Sequence, residues 1–212
     1  MDFPQARLLV FAKAPVPGKV KTRLISKLGA RGAASLYKAL LQRTLRMATA
    51  AHVCPVQLWC VPHPRQAFFI ACRRDYRVEL HRQRGADLGQ RMHHALNATL
   101  QNSPYALLIG GDCPALGSAE LRFALAALSS GRDAVLGPAE DGGYLLIGLR
   151  RPGPDLFSGI AWGGAKVLAA TRQRLRRAGL DWVELPLGWD VDRPADVHRL
   201  KRGRFRENPK TI

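Results

Sequence analysis

Two aspartates stand two residues apart in the stretch Gly188-Trp189-Asp190-Val191-Asp192-Arg193-Pro194. In an extended chain, side chains at that spacing point the same way, with α-carbons roughly 6.5–7 Å apart. Two carboxylates so placed repel unless a cation lies between them, and hard divalent ions such as magnesium take oxygen ligands of this kind. The plainer alternative is that Asp192 caps a helix beginning at Pro194, or that Arg193 pairs with either acid. Asp196 reads as a first-turn acid favoured by the helix dipole. A third acid, Asp112, emerges from Gly110-Gly111-Asp112-Cys113-Pro114, where it suits a metal or, more simply, an Asx-turn.

Cations collect elsewhere. Lys13, Lys19, Lys21 and Arg23 lie within eleven residues around Gly18, in Lys13-Ala-Pro-Val-Pro-Gly18-Lys19-Val-Lys21-Thr22-Arg23. Glycine lets backbone approach a ligand, and a helix starting near Thr22 would turn its free amides toward an anion. The pattern predicts a phosphate cradle, but not a Walker loop, because Lys stands at position 13 where that motif needs Gly and Val20 follows Lys19. Gly137-Pro138-Ala139-Glu140-Asp141-Gly142-Gly143-Tyr144 reads as a tight turn behind two acids that could bring backbone to a ligand, or as a plain hairpin turn. In Gly85-Ala-Asp87-Leu-Gly89-Gln-Arg91, Asp87 could cap a helix and Arg91 could face a phosphate or a base. His93 and His94 are adjacent, so they face different sides of a helix and are not read as ligands. There is no G-x-S-x-G, H-E-x-x-H or G-x-G-x-x-G, which speaks against hydrolase triads, zinc proteases and dinucleotide oxidoreductases.

The elements that must hold these residues alternate. Apolar runs at 7–12, 57–61, 105–110, 134–137, 144–149 and 182–185, with an alternating stretch at 77–81, predict strands. Helical spacing or helix-start signals predict helices over 31–51, 64–74 with Pro64 in its first turn, 87–101, 118–128 with Ser118 as N-cap, 165–178 and 194–200. Strand–helix alternation implies an α/β sandwich of three layers with a mostly parallel central sheet, one strand near 134–149 running antiparallel. In such sheets ligands bind beyond the carboxyl ends of the strands, and the glycine, lysine and aspartate clusters all follow predicted strands. No linker or repeat breaks the chain, so residues 1–200 form one domain and 201–212 a basic tail.

The chain has 212 residues, 47% of them hydrophobic and 23% charged, an ordinary globular balance. No run approaches the roughly 20 apolar residues a membrane-spanning helix needs, and Leu8–Ala12 is too short for a signal peptide. Thirty-three bases against sixteen acids give a net charge of +17, and 25 of the bases are Arg. Residues 172–177 and 199–210 carry +4 and +5 of that surplus. They read as a solvated helix face and the tail, since the aromatic interleaving of a single-strand nucleic-acid platform is missing. Cys54, Cys60, Cys72 and Cys113 show no CxxC spacing and read as buried free thiols, which fits a reducing cytoplasm.

Five segments in order, FAKAPVPGKVKTRL (11–24), GADLGQRM (85–92), LLIGGDCPAL (107–116), GPAEDGGYLLIGL (137–149) and LPLGWDVDRPADV (185–197), resemble the glycosyltransferase-like family related to phospholactate guanylyltransferase, also described as radical-SAM/selenodomain-associated transferases. The resemblance spans about residues 8 to 200. It implies a nucleotide-diphospho-sugar transferase fold of the GT-A-like kind. It implies that Lys13, Gly18, Lys19, Lys21 and Arg23 meet nucleotide phosphates, that Gly85 to Arg91 lie near the nucleoside, and that Asp141, Gly142 and Gly143 lie near the acceptor. Asp112, Asp190 and Asp192 would hold Mg²⁺ or Mn²⁺, with Asp112, Lys21 and Arg23 serving the chemistry. Where relatives carry a Trp-Ser-Thr-Pro-like stretch, this chain has Ala161-Trp162-Gly163-Gly164-Ala165-Lys166, without the hydroxyls.

The expected activity is a metal-dependent transfer from a nucleotide-activated donor to a small acceptor. Glycosyl transfer from a nucleoside-diphosphate sugar stands first and nucleotidyl transfer from a triphosphate second. A non-catalytic nucleotide-binding module is a third possibility, and a nucleic-acid binder driven by the charge a fourth.

Overall fold

The computed structural model describes residues 1–151 and 156–200, and the backbone of 201 and 202. Seven strands form one sheet: β1 (Arg7–Lys13), β2 (Val56–Val61), β3 (Glu79–Arg82), β4 (Ala106–Gly110), β5 (Ala134–Pro138), β6 (Tyr144–Leu149) and β7 (Trp182–Glu184), in the spatial order β3-β2-β1-β4-β6-β5-β7. All neighbours run parallel except β6, which is antiparallel to both β4 and β5. The expected reversed strand is therefore the second of the 134–149 pair. A tight turn at 139–143 replaces a crossover helix and sends the chain straight back.

The helices are α1 (Ile25–Ala50), α2 (Ala67–Tyr76), α3 (Leu88–Leu100), α4 (Ser118–Ser129), α5 (Val167–Arg177) and α6 (Pro194–Arg202), with a 3₁₀ turn at Thr22–Leu24 ahead of α1. Alternation along β1 divides the core. Leu8, Val10 and Ala12 pack with Leu41 and Leu45 of α1, Phe69 of α2 and Leu125 of α4. Leu9 and Phe11 face the other way, toward Met92 and Leu96 of α3 and Leu175 of α5. Three layers result. A third cluster joins Leu24, Ala33 and Leu40 to Val191, Val197 and Leu200, and so seats α6 against α1.

Several boundaries differ from the sequence expectation. A turn closed by Gln66 N–H to His63 O keeps Gln66 extended, so α2 begins at Ala67 and not near Pro64. Arg77 adopts a left-handed conformation that ends α2, so β3 begins only at Glu79. Glu120 reaches back to accept the N–H of Gly117 at 2.8 Å, which makes Gly117 the N-cap of α4 in place of Ser118. All four cysteines are free and buried, as expected. The basic tail expected at 201–212 lies outside the described residues, apart from the end of α6. Among the described residues no helix is long and apolar enough to cross a membrane.

Candidate functional site

β1 lies between β2 and β4, and the chain leaves it on one side through β2 and β3 and returns on the other through β4. The gap between the carboxyl ends of β1 and β4 is thus the topological switch point, where open α/β sheets bind ligands. The Lys13–Arg23 loop follows β1 there, and Gly111 N–H donates to Phe11 O at 3.1 Å, drawing Asp112 in beside it. Gly111 has no room for a side chain, since a Cβ would stand 2.6 Å from Leu41.

The C-terminal aspartates arrive by a different route. Gly188 pairs with Ala139 beyond the end of β5, and Arg199 pairs with Glu140 while stacking on Trp189 at 4.4 Å. Val191 is fully buried against the α1–α6 cluster. Asp190 and Asp192, its neighbours on either side, both turn to the switch point, as the two-residue spacing predicts. Capping does not consume Asp192: Asp196 accepts the N–H groups of Asp192 and Arg193.

These three carboxylates converge on one ammonium. Lys21 Nζ lies 2.6 Å from Asp112, 3.8 Å from Asp192 and 3.9 Å from Asp190. Its side chain is 6% exposed, against 22%, 28% and 30% for Asp112, Asp190 and Asp192. Burial alone would lower the lysine pKa, but Asp112 first, then Asp190 and Asp192, outweigh it and hold the ammonium above its ordinary value. Arg23 makes a hydrogen-bonded ion pair with Asp192. Acid remains in excess. Asp190 is pushed up to about 6, by burial and then by Asp112, Asp141 and Asp192, despite Lys21. Carboxylates suit a hard divalent ion in kind. As arranged, however, they close on Lys21, and among the described residues no group of three or more His, Cys, Asp or Glu side chains could hold a metal ion.

The cluster borders two cavities. The larger, about 500 Å³, is lined by Lys13, Lys19, Lys21 and Arg23 on one side and by Asp112, Asp190 and Asp192 on the other. Lys13 and Lys19 are exposed. Gly18 takes a positive φ of 79° to turn the loop between them. The smaller cavity, about 220 Å³, has walls of Phe11, Met92, Tyr144 and Trp162, and shares Asp112, Asp141 and Asp190 with the first. Gly143, Gly163 and Gly164 also line it. Gly142 holds this wall in place: its φ is 85°, its carbonyl accepts the N–H of Leu168, and a Cβ would lie 2.1 Å from Ala165 O.

Other expected residues sit at the margin. Asp87 caps α3 by accepting from Gln90 N–H at 2.8 Å. Arg91 Nε donates to Gly85 O at 2.9 Å, so that pair braces its own loop. Sequence reasoning missed Tyr37, an α1 residue whose hydroxyl accepts the N–H of Lys13 at 2.9 Å and anchors the start of the cationic loop. Burial, then the Asp112 charge, raise its pKa, so it stays protonated. Cys113 borders the smaller cavity, and burial followed by Asp112 and Asp190 keeps it a thiol.

Comparison with known proteins bears on the family and the fold. Residues 44–164 match the DUF2064 family model, described as an uncharacterized protein conserved in bacteria. The chain belongs to the DUF2064 family. The matched span holds Asp112, the 139–143 turn and the Ala161–Gly164 segment, but not the cationic loop or Asp190 and Asp192. No curated protein matches the sequence. A candidate nucleotide-diphospho-sugar transferase from Desulfovibrio desulfuricans G20 is 34% identical, covers 97% of this chain with 90% of its own, and superposes with a TM-score of 0.85. The CMP:2-keto-3-deoxy-manno-octonic acid synthetase complexed with CTP is 11% identical, with a TM-score of 0.57 over 93% of this chain and 97% of its own. A cytidylyltransferase from Leptospira borgpetersenii serovar Hardjo-bovis is 16% identical, with a TM-score of 0.59 over 93% and 85%. The last two similarities concern the fold, and this DUF2064 chain has the fold of nucleotide-utilising transferases.

Proposed function

We propose that the protein is a glycosyltransferase that takes a sugar from a nucleoside-diphosphate donor. One observation carries this reading. The cationic cavity and the apolar one meet at the aspartate cluster, and among the described residues that line the apolar side none is a Lys or Arg. A donor's phosphates belong against Lys13 and Lys19, where exposed ammonium groups act as point charges. The smaller cavity offers aromatic rings and carboxylates instead. Rings suit the C–H face of a sugar, and carboxylates accept from its hydroxyls. A phosphorylated acceptor, which nucleotidyl transfer requires, would meet the carboxylates of Asp112, Asp141 and Asp190 there, which favour a neutral, hydroxyl-bearing acceptor over an anionic one.

In this reading the acceptor oxygen bonds to the anomeric carbon as the bond to the diphosphate breaks, and the electron pair leaves with the diphosphate. The acceptor's proton passes to Asp141, which borders both cavities and lies outside the Lys21 cluster. Lys21 and Arg23 stand by the developing charge. Asp112, Asp190 and Asp192 would hold Mg²⁺ or Mn²⁺ once a phosphate gives Lys21 another partner; the ion would add charge neutralisation at the diphosphate.

The test supplies the four triphosphates and a set of nucleotide sugars, with Mg²⁺, Mn²⁺ or EDTA and a mixed acceptor pool, and measures the released product. Nucleoside diphosphate released from a nucleotide sugar is expected. Pyrophosphate released from a triphosphate would mean nucleotidyl transfer, and binding without either product would leave a nucleotide-binding module.

A further inference from the structure

One polar group in the larger cavity has no part in the chemistry above. Gln83 directly follows β3 and lines that cavity beside Ala12, Lys13 and Tyr37. The residue is only 9% exposed. Its backbone N–H donates to Cys60 O at 3.1 Å. Its side-chain Nε2 donates to Trp59 O at 2.8 Å and to Ala12 O at 3.3 Å. Both partners are carbonyl oxygens, which accept only. The NH₂ group must therefore face the sheet, and the orientation of the amide follows from chemistry.

That leaves Oε1. No described group donates to it. The buried side-chain polar atoms that lack a partner are, among the described residues, Tyr144 Oη and Arg174 Nη1. Gln83 Oε1 is not one of them, so it is not sealed, and the residue that carries it lines the cavity. An amide whose nitrogen is tied to two carbonyl oxygens cannot turn its oxygen end into a donor. Phe11 and the exposed Leu88 add apolar surface to the same cavity, of the kind a flat ring covers.

We propose that Gln83 reads the nucleobase of the donor. Its Oε1 accepts a hydrogen bond from an exocyclic amine, so the protein takes an amino base (cytosine, adenine or guanine) in preference to its carbonyl counterpart (uracil, hypoxanthine or xanthine). A carbonyl in the amine's place sets lone pair against lone pair and, with water displaced by the base, leaves the acceptor unmet. The inference rests on the nucleotide reading of the cavity, and the experiment separates the two.

Calorimetry on the full chain compares CTP with UTP, ATP with ITP, and GTP with XTP. For the favoured base, the amino nucleotide should bind at least tenfold more tightly than its carbonyl counterpart. The N,N-dimethyl analogue of the favoured amine, which has no hydrogen to donate, should lose the same factor on the unaltered protein, while the monomethyl analogue keeps it. Gln83→Met should bring each amino and carbonyl pair within about twofold; should that variant not fold, the analogue series decides. Equal affinities within each pair, or a carbonyl base preferred, overturn the assignment and leave the nucleotide site standing. A folded Gln83→Met that keeps the preference overturns it too. Absence of binding by every nucleotide overturns both.

Discussion

Asp190 sits among three other carboxylates and gains only a distant share of Lys21, which is closest to Asp112. Its acid is raised from an ordinary value near 4 to about 6. The folded chain then holds that proton more tightly than the unfolded chain between those values. Stability therefore falls as pH rises from about 4 to 6 and levels off above. Removing the charge should relieve the strain. At pH 7.5, Asp190→Asn is expected to be more stable by about 2–3 kcal/mol, a gain of roughly 4–12 °C in Tm for a chain this long. At pH 4 the two proteins should melt together. Calorimetry at the two pH values checks this, and an equal or lower Tm for the variant at pH 7.5 would refute the picture of a site rich in acid. The same substitution should weaken donor binding, a trade of function against stability.

At the scale of elements, the 139–143 turn is the piece most tightly specified by sterics. Gly142→Ala meets both a positive φ and the Ala165 carbonyl at 2.1 Å. It should cost about 3 kcal/mol or more, read as a lower urea midpoint at unchanged slope, and displace the start of α5. Gly163→Ala provides the contrast. Its φ is also positive, 82°, but nothing lies within 4 Å of the new Cβ, so about 1 kcal/mol is expected.

The same contrast explains what could be read in advance. Apolar runs and 3.6-residue spacing expose the strands and helices because those periods are local. Asp190 and Asp192 were legible because a buried Val191 between them obeys the two-residue alternation. The Lys13–Arg23 cations were legible as a cluster. Their division of labour was not, because Lys21 turns inward only when Asp112 and the C-terminal aspartates surround it. Tyr37 and Gln83 carry no local signal: each acts through a backbone group many residues away, a contact that exists only once the sheet is assembled.

Across the whole molecule the +17 charge is spread unevenly. Part of it is internally used: Arg172 grips Glu184 through two hydrogen bonds of 2.6 and 2.8 Å, and Arg176 lies over the Trp182 ring. Among the described residues, Leu200, buried in the α1–α6 cluster, is the last to pack against the body. We therefore expect a chain ended at Leu200 to keep its Tm within about 1–2 °C and to bind nucleotide as before. Affinity for a polyanion such as heparin should fall, and the salt dependence of that binding should flatten. A loss of folding would show that residues 201–212 belong to the domain.

The site is stitched together from distant parts of the chain: Arg23 and Asp192 are partners across 169 residues. A ribosome adding about 5–20 residues per second needs roughly 8–34 s to make that span. Late in that interval, once β4 has been made, a nascent chain can lay β1 beside β2 and β4, yet it still lacks Asp190 and Asp192. The Lys21 ammonium thus gains its full set of carboxylates only after α6 has been made and has docked.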